Sequence, residues 1–257
     1  SGYWFNIGLK SSVNLAVNSD GTVTLVEGSP DIGGTRVAMA MHVAEVLGIG
    51  AHDVRPSVVD TELVGYTDVT GGSRTTYATG YACWIAANQL VDELKKRVGI
   101  LWDINEEDID FSDGIFNSKA ESEKTIGFKE LAGKLADLGG PATSIGNVDL
   151  ESAGDGFGLH IVDIDIDTET GKTDVVRFTA IQDVGTAIHP SYVEGQLQGG
   201  AVQGIGWALN EEYYMEEDGS MANSSFLDYR MPTSLDLPMI DTTIVEVANP
   251  AHPYGIR

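Results

Sequence analysis

The stretch Val23-Thr24-Leu25-Val26-Glu27-Gly28-Ser29-Pro30-Asp31-Ile32-Gly33-Gly34-Thr35-Arg36 changes its periodicity part-way along. Residues 21–27 are apolar and β-branched, and Asn18-Ser19-Asp20-Gly21 makes a natural hairpin turn before them. They read as a strand paired with an earlier one near 12–17. Beyond Gly34 the pattern becomes helical: Val37, Met41, Ala44 and Leu47 fall on one face, and Gly48 supplies a stop. Working outward, further strands are expected near 3–9 and 54–59, with a polar loop from Thr61 to Thr76. A helix follows from about Tyr77 to Arg97, its basic end Lys95-Lys96-Arg97 at the favourable C-terminus. Another spans 128–138, closed by Gly139-Gly140. Residues 140–156 read as a loop, 159–167 and 173–182 as a hairpin around Thr170-Gly171, 190–209 as a helix, and 211–216 and 240–248 as strands. Runs of strands with interspersed helices predict an α+β class, mixed β-sheets with packed helices. The expected organisation is one lobe over 1–257, with two sub-repeats meeting near 140–156.

Composition narrows the function classes. At 257 residues the chain is long enough to bury roughly three quarters of its unfolded surface without a metal or disulfide staple. Its formal charge of −24 repels nucleic acid and anionic lipid, so neither is an expected partner. Cys83 is the only cysteine, which excludes an internal disulfide and an iron–sulfur cluster held by this chain alone. It sits in Tyr81-Ala82-Cys83-Trp84-Ile85, as a small buried hydrophobe would. No apolar run approaches the ~20 residues that span a bilayer, and Ser1-Gly2-Tyr3-Trp4-Phe5 lacks the regions of a signal peptide. A cytoplasmic location is expected. The five histidines show no metal-ligand spacing, and His42 reads as a packed or surface imidazole. Asp163, Asp165 and Asp167 imitate the start of a calcium loop, but Thr168 stands where that loop needs glycine and Asp174 where it needs glutamate. Alternation with Val162, Ile164 and Ile166 explains them as a half-buried strand.

Three glycine-rich elements call for a physical reason. Gly28 to Arg36 joins strand to helix; paired glycines permit positive φ and let amides approach a ligand, although a plain tight turn would look the same. Gly71-Gly72-Ser73-Arg74-Thr75-Thr76 gathers hydroxyls, a guanidinium and free amides at the start of a helix, suiting a phosphate or polar heterocycle; a capping loop is the alternative. Gly195-Gln196-Leu197-Gln198-Gly199-Gly200-Ala201-Val202-Gln203-Gly204-Ile205-Gly206 puts five glycines in one helix, at up to ~1 kcal/mol each relative to alanine. Either close packing against another element or close approach to a cofactor would offset that.

Taken in order, these segments resemble the molybdopterin-binding subunits of the xanthine dehydrogenase, aldehyde oxidoreductase and carbon monoxide dehydrogenase family. The likeness runs through Asp31-Ile32-Gly33-Gly34, Gly72-Ser73-Arg74-Thr75-Thr76, Gly156-Phe157-Gly158, Gln182-Asp183-Val184-Gly185-Thr186-Ala187-Ile188-His189-Pro190, Gly195-Gln196, Gln203-Gly204-Ile205-Gly206 and Pro253-Tyr254-Gly255-Ile256-Arg257. It implies the second of two lobes that hold molybdopterin with molybdenum, in bacteria often as the cytosine dinucleotide. By position, Gly33, Gly34 and Thr35, with Arg36 beside them, would approach the molybdenum end and pterin. Ser73, Arg74, Thr75 and Thr76 would serve the phosphate or nucleotide, and Gln196 would donate to the pterin with Asp183 in support.

The resemblance further implies hydroxylation of an aldehyde, purine or N-heterocycle carbon with water as the oxygen source. Electrons would leave through iron–sulfur clusters and FAD on other chains or domains, alongside a first molybdopterin-binding lobe. Many relatives carry a glutamine where Gly34 stands, so the contact that glutamine makes near the metal is not expected here. The family's Gly-Val-Gly-Glu segment, with its general base, follows directly after the position of Arg257, so the chain is expected to be inactive alone. A non-catalytic acidic binding or assembly domain, with calcium as its candidate ligand, is the competing class.

Overall fold

The computed structural model describes residues 1–4, 8–58 and 62–257. Its elements are β1 (Gly2–Trp4), β2 (Lys10–Val17), β3 (Val23–Glu27), α1 (Thr35–Leu47), β4 (Val54–Val58), α2 (Thr75–Trp102), β5 (Ile109–Ser112), β6 (Ile115–Ser118), β7 (Thr125–Gly127), α3 (Phe128–Lys134), β8 (Thr143–Asp149), β9 (Gly156–Ile166), β10 (Thr173–Asp183), α4 (Pro190–Leu209) and β11 (Ile240–Val245). Parts of the expected strands near 3–9 and 54–59, and Thr61 of the polar loop, lie outside the described residues.

The chain forms two compact units. The larger comprises residues 5–155 and 248–257, the smaller residues 1–4 and 156–247. In the larger, the sheet order is β4-β3-β2-β8, with β2 antiparallel to both β3 and β8, and β4 parallel to β3. Val13, Leu15, Val17, Val23 and Leu25 are fully buried, and α1 and α2 pack with them into the core. The strand-to-helix pattern at 23–47 is thereby met: α1 ends where Gly48 takes a left-handed φ of 59°, and a Cβ there would meet the backbone of Asp113 and Gly114. The small antiparallel sheet β5-β6-β7 adds to this unit.

The smaller unit repeats that order. Hairpin β9–β10 is followed by helix α4 and then by β11, which joins β10 in parallel, while β1 lies antiparallel on the far side of β9. Phe178, Ala180, Ala201, Ile205 and Ile240 form its buried core.

Two sequence expectations are corrected. Residues 140–156 contain β8, because the inward positions of this strand are small: Ser144 donates to Ala86 O of α2 at 2.7 Å, and a Cβ on Gly146 would fall 2.0 Å from Ala82 O. Ile145 instead faces out, so the usual apolar alternation is inverted. Residues 211–216 form no strand, only a single bridge between Met215 and Met221. The helix expected over 128–138 closes as a 3₁₀ turn from Leu135.

The half-buried reading of β9 also needs correction. The strand exists, but Val162 is 42%, Ile164 48% and Ile166 54% exposed.

Candidate cofactor site

The first loop leaves β3 at Glu27 and enters α1 through Gly33 and Gly34, whose φ values are 64° and 78°. No side chain caps α1 at Gly34. Thr35 donates its hydroxyl to Pro30 O, and Asp31 accepts the Arg36 amide at 3.1 Å while pairing with its guanidinium at 3.4 Å. Arg36 is thus held by its own loop.

The second loop enters α2 through Gly72 and Ser73, both left-handed at φ 64° and 58°. No side-chain oxygen caps α2 either, so the hydroxyls gathered here are not spent as helix caps. Ser73 is exposed, Thr76 half-buried and Thr75 buried. Arg74 departs from expectation. Its guanidinium is fully buried and donates to Asp68 O at 2.8 Å, to Lys10 O at 2.9 Å and to the Ser11 hydroxyl. Turned inward, it orders the loop from beneath and does not present itself to a phosphate.

Both loops belong to the larger unit, and the first meets the helix that the second opens: Ser29 Oγ lies 3.1 Å from Thr79 Oγ1 of α2. Sequence reasoning missed the buried groups below them: Glu27, Ser11, Ser29 and Thr79. One signal was present, because Glu27 is in phase with Val23 and Leu25 on the inward face of β3. Burial pushes the Glu27 carboxyl up to about 7. Behind α2, His42 is buried with Nδ1 against Ala38 O at 2.7 Å. His252 approaches Tyr77 O through Nε2 at 3.2 Å and accepts the Tyr254 amide on Nδ1 at 3.1 Å. Desolvation lowers both imidazoles to about 4, so they are neutral. Tyr254 donates to His42 O at 3.1 Å, tying residues 248–257 to both helices. Cys83 is buried, and burial raises its thiol.

Asp183 and Gln196 lie in the smaller unit. Asp183 ends β10, and its Oδ1 accepts the amides of Gly185 and Val247 at 3.0 and 3.3 Å, which fixes the turns that leave β10 and β11. In α4, Ala201 and Ile205 face the sheet. Gln196, Gly199, Gly200, Gln203, Gly204 and Trp207 are exposed. Among the described residues nothing lies within 4 Å of the place a Cβ would take on Gly195, Gly199, Gly200 or Gly204; only Gly206 is packed, against Glu211 and Pro232. Tight packing within the chain therefore does not account for four of the five glycines.

At the acidic hairpin, Asp167 accepts from the Glu169 and Thr170 amides and the Thr170 hydroxyl, closing the turn. Among the described residues no group of three or more His, Cys, Asp or Glu side chains is arranged to hold a metal ion. No helix among them is long and apolar enough to cross a membrane.

Comparison with known proteins decides the family. The model of the molybdopterin cofactor-binding domain matches residues 1–238. The chain belongs to the molybdopterin cofactor-binding domain family. This domain is 30% identical over 260 residues to the 6-hydroxypseudooxynicotine dehydrogenase complex subunit gamma of Paenarthrobacter nicotinovorans, covering 98% of the chain and 33% of that protein. It is 27% identical to the carbon monoxide dehydrogenase large chain of Hydrogenophaga pseudoflava, covering 98% of the chain and 32% of that protein. The solved Cu,Mo-CO dehydrogenase superposes with a TM-score of 0.85 at 28% identity, over 96% of this chain and 32% of that one. This molybdopterin-binding domain has the α+β fold of the molybdenum hydroxylases of the xanthine and carbon monoxide dehydrogenase family, and spans about a third of the length of the relatives it matches.

Proposed function

We propose that this chain is the second cofactor lobe of a larger molybdenum hydroxylase that oxidises an aldehyde, purine or N-heterocycle carbon with oxygen from water. The observation that carries the proposal is the bare glycine side of α4, with Gln196 and Gln203 beside it. A helix that forgoes several kcal/mol in interior glycines needs a compensating contact, and the described residues provide none for four of them. A flat pterin laid close to that backbone would, with the glutamine amides as donors.

The loops of the larger unit fit the same group. Gly33 and Gly34 bring their backbone, with Thr35 next to them, to the molybdenum end and pterin, and Arg36 is held beside them by Asp31. Ser73, Thr75 and Thr76, stiffened by Arg74 from within, serve the phosphate or the cytosine nucleotide. Asp183 keeps the turns beyond β10 and β11 in place. The bound cofactor supplies the redox chemistry. The general base comes from a Gly-Val-Gly-Glu segment beyond Arg257, and the first lobe, iron–sulfur clusters and FAD from other domains or chains.

The decisive experiment co-expresses the chain with the rest of its large subunit and quantifies molybdopterin and molybdenum in the purified protein. Gly199→Val with Gly200→Val is expected to lower both at least tenfold while the circular dichroism spectrum is kept. Unchanged cofactor content in that variant would sink the reading. The isolated chain is expected to purify without stoichiometric molybdenum.

A further inference from the structure

Beneath the two loops of the larger unit lies a polar chain sealed from water. Glu27, Ser29, Thr79, Ser11 and Arg74 are each 0–2% exposed. The Glu27 carboxylate accepts the Ser29 amide at 2.7 Å, and the Ser29 hydroxyl as well. Ser29 Oγ stands 3.1 Å from Thr79 Oγ1, which stands 2.9 Å from Ser11 Oγ, and Ser11 accepts from Arg74.

Each hydroxyl has one hydrogen to give. Because Arg74 only donates, the satisfied direction runs from it through Ser11, Thr79 and Ser29 to the carboxylate. All three hydroxyls then point the same way, and each bond polarises the next in a low-dielectric interior. The far carboxylate oxygen, Oε1, is buried and has no partner among the described residues. Glu27 is the last residue of β3 and Arg74 precedes α2, so the chain spans from the root of one loop to the root of the other.

We propose that Glu27 is a positioning residue: through Ser29, Thr79 and Ser11 it holds the 28–36 loop in fixed register with the 71–76 loop, and the charge on its carboxylate sets how firmly. The purpose of this coupling rests on the reading that both loops hold the cofactor. When Glu27 is ionised it is an acceptor for Ser29 and the chain is complete from end to end. When it is protonated, the carboxyl is a weaker acceptor but no charge is held away from water, and the closed arrangement is favoured. The charged and titratable groups acting on it are Asp31 from the loop and Arg36 from α1, with Arg74 and Cys83 from α2. Because burial raises the carboxyl to about 7, ionisation favours any opening that returns Glu27 to water, so the coupling loosens as pH rises through neutrality.

The test is amide hydrogen exchange on the chain co-purified with the rest of its large subunit, corrected for the intrinsic pH dependence, in wild type, Thr79→Val, Thr79→Ser and Glu27→Gln. Thr79→Val is expected to accelerate exchange at least tenfold in both 30–36 and 72–76, and Thr79→Ser to restore it. Protection in wild type is expected to fall at least threefold from pH 6 to pH 8, and in Glu27→Gln to stay flat. The proposal is overturned if Thr79→Val leaves the 72–76 amides unchanged, or if Glu27→Gln keeps the pH response. Molybdopterin content of the same preparations separates the two claims: loosened loops with undiminished content would leave the coupling standing and remove the cofactor reading.

Discussion

The two sheets are ordered alike, β4-β3-β2-β8 in the larger unit and β11-β10-β9-β1 in the smaller, and each places a helix between its hairpin and its parallel strand. They differ in where their small and polar residues point. In the larger unit Gly146 lies against the backbone of α2 and Gly80 against the His42 ring, while Arg74 and Glu27 are sealed in the core. In the smaller unit four of the five glycines of α4 meet nothing among the described residues, and apolar residues such as Trp207, Tyr213, Phe226 and Leu227 are left exposed. One unit has used its special residues to build itself. The other holds them outward, as a surface that awaits a ligand or partner does.

Unfolding experiments sharpen that contrast. The largest effect is expected at Arg74. Its replacement by Met leaves two buried carbonyls and the Ser11 hydroxyl without their donor, at about 3–5 kcal/mol, and lysine cannot span the same acceptors. Arg36→Ala, which removes only a half-exposed pair with Asp31, is expected to change stability by less than about 0.5 kcal/mol. Equal losses in guanidinium titrations of the two variants would erase the distinction between a structural and a surface arginine.

Glu27 comes next. Its carboxyl is raised from 4.5 to about 7 in the folded chain, so the folded state holds more protons than the unfolded one between those values. Stability from this group is therefore present below about 4.5 and lost as pH rises through 7, by on the order of 3 kcal/mol. Glu27→Gln should flatten that part of the profile when compared with wild type at each pH. His42 and His252 act in the opposite sense, losing stability as pH falls from 6.5 towards 4, and the matched comparison cancels them. A matched profile that shows no slope would contradict the buried placement of Glu27.

Glycine substitutions reverse sign between the units. Gly146→Ala, forced against Ala82 O and Ala86 N, is expected to destabilise by roughly 2–3 kcal/mol. Gly199→Ala in α4 meets open space and is expected to stabilise the isolated chain by about 0.5–1 kcal/mol, through helix propensity. A destabilised Gly199→Ala chain would mean that α4 is covered by something within the chain itself.

How much was legible in the sequence follows from the range of the interaction behind each signal. Local periodicity and turn chemistry found α1, α4, the β2–β3 and β9–β10 hairpins and the three glycine elements, since neighbours along the chain specify them. β8 escaped because its inward residues, Ser144 and Gly146, are chosen to fit a helix some sixty residues away, so its pattern carries no apolar alternation. A guanidinium in a hydroxyl-rich loop suits a phosphate on local chemistry alone; that Lys10 O and Asp68 O claim Arg74 instead depends on where β2 and residue 68 fold back.

The order of motifs along the chain by itself pointed to the family, and glycine content by itself marked α4 as a helix with an unusual obligation. Only the tertiary structure decided which polar groups are interior and which side of each glycine is empty. Burial and contact are properties of distant segments brought together, and a sequence lists residues without saying which of them will exclude water from one another.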